Sequence, residues 1–372
     1  MRVAIRADGN REIAMGHIMR CLSIADAMKT KAEVVFVTAG RETEKLIADR
    51  GFQNEVLGTD YRDMESELPV LEAFLAAHPV QLILTDSYFV TKNYMEKLGK
   101  LAKTAYIDDL GQPVYPLTTL VNYNVYAPEL PYKAWYREAG LPLPSEILTG
   151  CAYAPLREEF RIGNRNGQGT HGRKHLNSGE KERAAEKETV TDVLITTGGG
   201  DMANAAGSLC RRLLAEMEEG RHKGIRYHVI CGPFAESEKE LREIVSMHPQ
   251  FILHKNVTNM SELMSECDVA VSAAGSTMYE LCCMRLPAVC FYFAENQRQM
   301  AEYFDRETGI KSAGNVMEDR EGVLERLLKR LADLERDGTL RERIRAQEAR
   351  LVDGCGAVRL AERLLACAGY GE

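Results

Sequence analysis

"RVAIRADGNREIAMGHIMRCLSIADAMKTKAEVVFVTAG", residues 2–40, carries the repeating unit of the fold. Val3, Ala4 and Ile5 form a short apolar run. After a turn, Ile18, Cys21, Leu22, Ala25 and Met28 recur close to the i, i+3, i+4, i+7 spacing of one helix face. A second apolar run, "EVVFVTAG", closes the stretch. Working outward, the runs "NEVLG", "LILTDSYF", "TAYIDDL" and "TTLVNYN" follow in the first half. "DVLITTGGG", "YHVICG", "FILHKNV", "DVAVSAAG" and "AVCFYFA" occupy the second. Stretches with helical spacing separate most of them. Near-continuous apolar strands alternating with helices predict an α/β protein whose parallel sheets are covered on both faces.

The chain has 372 residues. At roughly 100–200 residues per domain, two domains are expected. Hydrophobic residues make up 45% and charged residues 27%, enough to bury a sizeable core. The net charge of −8 argues against a general nucleic-acid or anionic-membrane binder, which needs a basic face. A small anionic ligand is compatible with it, because a local pocket can oppose the global charge. No run approaches the ~20 apolar residues of a membrane span. The Met-Arg start leads straight into a strand and lacks the apolar core of a signal peptide. Ten cysteines without a CxxC pair read as reduced thiols, and the expected location is cytoplasmic. Residues 163–188 contain one large aliphatic residue, Leu176, and no aromatic. Such a segment cannot offset its ordering entropy and reads as a linker or insertion. The expected domains are therefore 1–162 and 189–372. The second ends in a closing helix with Leu360, Leu364 and Leu365 on one face. The sequence leaves the oligomeric state open.

Open parallel sheets bind ligands beyond the carboxyl ends of their strands, so the strand-to-helix turns hold the candidate residues. In the first, residues 8–17, Gly16-His17 stands at the mouth of a helix. Free N–H groups there favour a neutral imidazole and suit a base; a polar residue at a helix start is the plainer reading. Asp8 has the chemistry to accept turn N–H bonds. The second turn is "ITTGGGDMANAAG", residues 195–207. Its glycines allow close backbone approach, and the helix start offers N–H groups to phosphate. It is neither a Walker A nor a GxGxxG loop. The third is "VSAAGSTMYELCCM", residues 271–284. Thr277 and Glu280 have capping-box spacing, while Glu280 is equally suited to accept from a sugar diol. The fourth, "AVCFYFAENQRQM", presents Asn296 and Gln297, amides that suit hydroxyl or phosphate oxygens. The Asp108-Asp109 pair reads as structural, with no third ligand at metal-like spacing.

Taken together, "RADGNREIAMGHIMRCLSIA", "YIDD", "GCAYAPLREEF", "TTGGGDMAN", "SAAGSTMYELCCMRLPAVCFYFAENQ" and "VDGCGAVRLAERL" resemble the PseG family. Its members are UDP-2,4-diacetamido-2,4,6-trideoxy-β-L-altropyranose hydrolases of pseudaminic acid biosynthesis. SpsG-like spore-coat polysaccharide proteins share much of the pattern. The resemblance implies a GT-B fold, two Rossmann-like domains facing a central cleft, related to MurG. It implies that His17 is catalytic and that UDP is held mainly by the C-terminal domain. The substrate contacts it implies are Arg6, Asp8 and Gly16 on the N-terminal side. On the C-terminal side they are Gly199, Gly200, Asp201 and Asn204, then Asn256, Val257 and Met260. Gly275, Ser276, Thr277, Glu280, Asn296 and Gln297 complete them. The implied reaction is attack of water on the anomeric carbon of a UDP-amino sugar, with inversion. His17 is the general base, a role worth ~10²–10⁴-fold. The glycine turn and helix starts stabilise the departing diphosphate, and no metal or cofactor is called for. A glycosyltransferase on the same scaffold, or a nucleotide-sugar-binding protein without turnover, are the alternatives.

Overall fold

The computed structural model describes residues 1–165, 189–199, 201, 204–232, 235 and 237–370. The chain divides into two compact units, Met1–Arg157 with Cys355–Glu372, and Glu158–Gly354.

The first unit is built on seven strands: β1 (Arg2–Ala7), β2 (Glu33–Thr38), β3 (Gln53–Val56), β4 (Leu82–Asp86), β5 (Lys103–Ile107), β6 (Thr119–Asn122) and β7 (Glu146–Thr149). Their order is β3-β2-β1-β4-β5-β6-β7, and every pair is parallel. Helices α1 (Gly16–Met28), α2 (Glu44–Asp49), α3 (Met64–Ala77), α4 (Lys92–Leu98) and α5 (Tyr132–Glu138) connect them. The central strands are apolar on both faces, as the consecutive residues Val3, Ala4 and Ile5 of β1 and Leu82, Ile83 and Leu84 of β4 are all buried. The predicted face of α1 is real: Ile18, Cys21, Leu22, Ala25 and Met28 are all fully buried.

The second unit has six parallel strands in the order β10-β9-β8-β11-β12-β13. They are β8 (Asp192–Thr196), β9 (Arg226–Cys231), β10 (Phe251–Lys255), β11 (Val269–Ala273), β12 (Ala288–Tyr292) and β13 (Lys311–Asn315). Its helices are α6 (Glu158–Arg165), α7 (Ala205–Glu218), α8 (Glu238–Met247), α9 (Met260–Ser265), α10 (Thr277–Met284), α11 (Glu295–Glu307), α12 (Arg320–Arg336) and α13 (Gly338–Leu351). The two strands absent from the sequence reading, β7 and β13, are both sheet edges. Half-polar strands such as "EILT" and "KSAGN" bury too little to leave an apolar run.

Two expected boundaries shift. Gly163–Arg165, assigned to the linker, complete α6. That helix lies in the second unit rather than in 1–162, because Phe160 is fully buried and Gly163 packs against Met284 and Ser261. Residues 166–188 lie outside the described residues. The closing helix α14 (Gly356–Cys367) buries Leu360, Leu364 and Leu365 as expected, but in the first unit. It packs on α1, and Arg359 Nη1 donates to the Ala152 carbonyl at 2.8 Å. A Cβ at Gly356 would run into the backbone of Ala154, so glycine permits this close approach.

Helix α13, which packs on α10, carries a fully buried carboxyl, Glu348, with no hydrogen-bond partner on either oxygen among the described residues. Burial pushes its pKa well above the carboxyl range, and the charges of Arg345 and Arg285 offset only part of that. Between the unfolded and folded pKa values the folded state binds the extra proton, so stability falls as pH rises above ~4.3. Glu348→Met, of similar length and apolar, is expected to stabilise the unit by about 1–3 kcal/mol at pH 8 and by less at pH 5. Thermal melts at the two pH values measure this; an equal gain at both would refute the titration.

Candidate functional site

In each unit the strand order reverses once, between β1 and β4 in the first and between β8 and β11 in the second. Such switch points open a crevice beyond the strand ends.

In the first unit, β1 runs into a turn pinned by Asn10, whose Oδ1 accepts from Glu12 N at 2.8 Å and Ile13 N at 3.0 Å. Tyr61 and Arg62 bind the Glu12 carboxylate from outside. Ala14 takes a left-handed φ of 58°, which costs a residue with a Cβ about 1–2 kcal/mol. The turn delivers His17 to the second position of α1, 5% exposed. Parallel pairing sets Asp86, the last residue of β4, beside Ala7 of β1. His17 Nδ1 lies 2.6 Å from Asp86 Oδ1. Nδ1 also lies 3.0 Å from Arg20 Nη2, which can only donate; the carboxylate is nearer, so Nδ1 is assigned the N–H and the lone pair is left on Nε2. Nε2 has no hydrogen bond among the described residues.

Arg20, one helical turn after His17, grips the same carboxylate. Its Nε is 2.6 Å from Asp86 Oδ2 and its Nη2 2.5 Å from Oδ1. Its Nη1 donates to Asp109 Oδ2 and to the Tyr123 hydroxyl, each at 2.7 Å. Tyr88 stands edge-on to the imidazole with ring centroids 4.6 Å apart, and its hydroxyl donates to Asp109 at 3.3 Å. Burial, the largest influence on Asp86, pushes its pKa up, yet Arg20 and His17 outweigh it and hold the group well below the usual carboxylate range. Asp86 is therefore ionised.

Asp86, Arg20, Tyr88, Asp109 and Tyr123 were not among the sequence candidates. Two signals were present: Arg20 follows His17 at i+3, and Asp86 ends an apolar strand. Asp108 is structural as expected, accepting from Leu110 N, Gly111 N and the Tyr132 hydroxyl. Asp109 turns to Arg20 instead. Two candidates are buried on partners within the first unit. Arg6 is fully buried, its guanidinium spent on Glu67 and Asp8. Asp8 is 7% exposed and accepts from Arg6 and from Ala39 N at 2.7 Å, fastening β1 to the end of β2. Their side chains hold the turn. At Gly16 a Cβ would meet nothing within 4 Å.

In the second unit, the glycine turn follows β8. Gly198 has a φ of 80°, and a Cβ on Gly198 or Gly199 would meet nothing within 4 Å. Gly200 lies outside the described residues. Asp201 is fully buried and accepts from Ala205 N at 2.7 Å and Ala206 N at 3.1 Å. It caps the start of α7, so its carboxylate is engaged within the fold. Asn204 is left-handed at φ 48° and donates to Glu240 at 2.6 Å. After β11, Ser276 is the N-cap of α10 and its side chain makes no cap hydrogen bond. Thr277 is the first residue of the helix, so Ser276 rather than Thr277 holds the N-cap position. Gly275, Thr277 and Glu280 are half-buried, and Ser276 is exposed. After β12, Gln297 Oε1 accepts from Phe293 N at 3.0 Å, and its Nε2 lies 4.0 Å from the Cβ position of Gly275. Asn296 is exposed. These three turns end neighbouring strands. Asn256, Val257 and Met260 follow β10, which β9 separates from β8. Asn256 is exposed with φ 51°, and Met260 N donates to Glu159 at 3.0 Å.

Among the described residues, no group of three or more His, Cys, Asp and Glu side chains has the geometry to hold a metal ion. Nor is any helix among them long and apolar enough to cross a membrane.

No family model matches the chain. It is 25% identical over 306 residues to an uncharacterised protein of Methanocaldococcus jannaschii, MJ1062, covering 80% of this chain and 57% of that one. The match thus spans little more than half of that relative. Over 380 residues it is 21% identical to the spore coat polysaccharide biosynthesis protein SpsG of Bacillus subtilis, covering 97% and 96% of the two chains. Among solved structures, MurG of Acinetobacter baumannii aligns with a TM-score of 0.64 at 12% identity, covering 98% and 99%. S. aureus MnaA, solved with UDP, aligns at 0.62 and 11%, covering 98% and 96%. The chain is a distant homologue of SpsG, and its two parallel-sheet α/β units have the GT-B glycosyltransferase fold.

Proposed function

We propose that the protein hydrolyses a UDP-linked diacetamido-trideoxy sugar at the anomeric carbon, releasing UDP and the free amino sugar with inversion. The observation that carries this reading is His17, with Nδ1 held by Asp86 and Nε2 free of hydrogen bonds. In the proposed step, a water oxygen bonds to C1 as the C1–O bond to UDP breaks. The water proton passes to Nε2. The departing diphosphate is met by backbone N–H groups of the glycine turn and the Gly275–Thr277 turn, fixed dipoles that need no reorganisation. Glu280 accepts from the ribose hydroxyls, and Asn256, Val257, Met260, Asn296 and Gln297 line the nucleotide.

The distant homology to SpsG and the MurG-like fold favour a second reading, in which a sugar hydroxyl replaces water and His17 is again the base. Incubation with UDP-amino sugars in plain buffer, followed by mass spectrometry, separates the two. Free sugar plus UDP is expected. Turnover only after an acceptor is added would establish the transferase, and saturable binding without turnover would defeat both.

Gly232, at the end of β9, tests the nucleotide site without touching a ligand. A Cβ there would lie 2.6 Å from the Gly198 carbonyl oxygen and 2.7 Å from that of Gly199. Gly232→Ala is therefore expected to push the glycine turn out of place. Overpacking of this kind costs about 1–3 kcal/mol of stability. UDP affinity should fall about tenfold or more, the equivalent of ~1.4 kcal/mol. Calorimetric titration with UDP, beside a melting curve, reads both. Unchanged affinity would remove the glycine turn from the proposed site.

A further inference from the structure

We propose that Asp109 is a positioning residue for His17: through Arg20 it takes up the guanidinium's charge, so that Asp86 keeps its own negative charge for the imidazolium. The inference rests on the reading of His17 as a base.

The groups around the imidazole come from four elements. Helix α1 contributes Arg20 and Cys21, whose Sγ lies 3.5 Å from Asp86 Oδ2. The end of β4 contributes Asp86 and Tyr88. Asp108 and Asp109 follow β5, and Tyr123 and Tyr126 follow β6. Burial pushes the Cys21 thiol and the Tyr88, Tyr123 and Tyr126 hydroxyls up, so these four stay neutral at working pH. Asp108 stands outside this cluster: its oxygens accept from two backbone amides and the Tyr132 hydroxyl rather than from Arg20 or His17, and burial raises its pKa. What remains is one guanidinium and two carboxylates, one of them fully enclosed and the other only 13% exposed.

With neutral His17 this cluster carries one net negative charge. A proton taken up at Nε2 brings it to zero. Were Asp109 absent, the bidentate Arg20–Asp86 pair would already be neutral. Protonating His17 would then create an unbalanced buried cation, a costly state. The second carboxylate thus readies the site for the charge that a base acquires.

The test uses the full chain with ¹⁵N-labelled histidine, following the His17 ring by NMR against pH. Its signal is identified by its absence from His17→Asn. Asp109→Asn keeps an oxygen for Arg20 and Tyr88 but removes the charge. The His17 midpoint is expected to fall by roughly half a pH unit or more, and the acid limb of the kcat profile to move with it. Arg20→Gln leaves Asp86 unopposed and is expected to move the midpoint the other way. An unmoved midpoint in Asp109→Asn overturns the proposal. Should that variant not fold, Arg20→Gln decides: an upward shift supports the proposal, and an unmoved or lowered midpoint overturns it. The titration needs no turnover. A fully active His17→Asn would defeat the base role while leaving this measurement readable.

Discussion

Replacing His17 by asparagine is expected to remove most of kcat, on the order of 10²–10⁴-fold, while UDP affinity stays near that of the native protein. Asparagine can keep a hydrogen bond to Asp86, whose carboxylate is 2.6 Å from the imidazole. It cannot take a proton from water. The loss should therefore fall on kcat rather than on KM, the pattern of an interaction made only in the transition state. Steady-state kinetics on the UDP-sugar, with a separate UDP titration, measures the split. Turnover in ¹⁸O-water adds the site of attack. Label on the sugar is expected, and label on UDP would mean attack at phosphorus. Full activity in the variant would end the base role.

The second large effect is expected at Asp86. Asp86→Asn replaces one acceptor oxygen by a donor between Arg20 and His17. If the amide nitrogen faces His17, its N–H points at Nδ1 and drives the ring proton to Nε2, the wrong nitrogen for a base. If it faces Arg20, two donors oppose each other. Either way Arg20, 11% exposed, loses half of its charge pairing. An aspartate-to-asparagine change behind the catalytic histidine of a serine protease costs ~10⁴ in kcat, which sets the scale. A loss of 10²–10⁴-fold is expected here, with up to about 3–5 kcal/mol of stability, because a buried charge is left without its partner. The pH dependence follows from the depressed pKa of Asp86. The unfolded state binds the extra proton first, so this contribution is complete above ~3.9 and is lost as pH falls below it. An acid-unfolding curve should show that loss in the native protein and not in Asp86→Asn. Native activity in the variant would detach Asp86 from His17.

The sequence by itself determined the class of the fold. Continuous apolar runs such as "RVAIRA" and "LILTD" can be buried only in parallel strands covered on both faces, and their alternation with helices leaves few topologies. It also pointed to the turns that carry the proposed site, because ligands of such sheets bind beyond the strand ends. His17 and the glycine turn were legible for that reason. Local pattern went no further. Arg6 and Asp201 are polar residues near strand-to-helix turns, like His17, and only the structure shows what each one bonds to, a partner distant in sequence for Arg6 and the start of the following helix for Asp201. Glu67, 61 residues from Arg6, claims its guanidinium. The Ala205 and Ala206 amides claim Asp201. The partners of His17 were hidden for the same reason. Asp86 lies 69 residues away in sequence, and strand order, which no local spacing encodes, brings β4 against β1. Asp109 was visible as half of an acidic pair, but its direction depends on Arg20, 89 residues distant. The closing helix α14 shows the limit most plainly. Its apolar face was readable from Leu360, Leu364 and Leu365, yet which unit it covers was decided by the clearance that Gly356 leaves against Ala154. Periodicity says that a face must be buried; only the three-dimensional packing says against what.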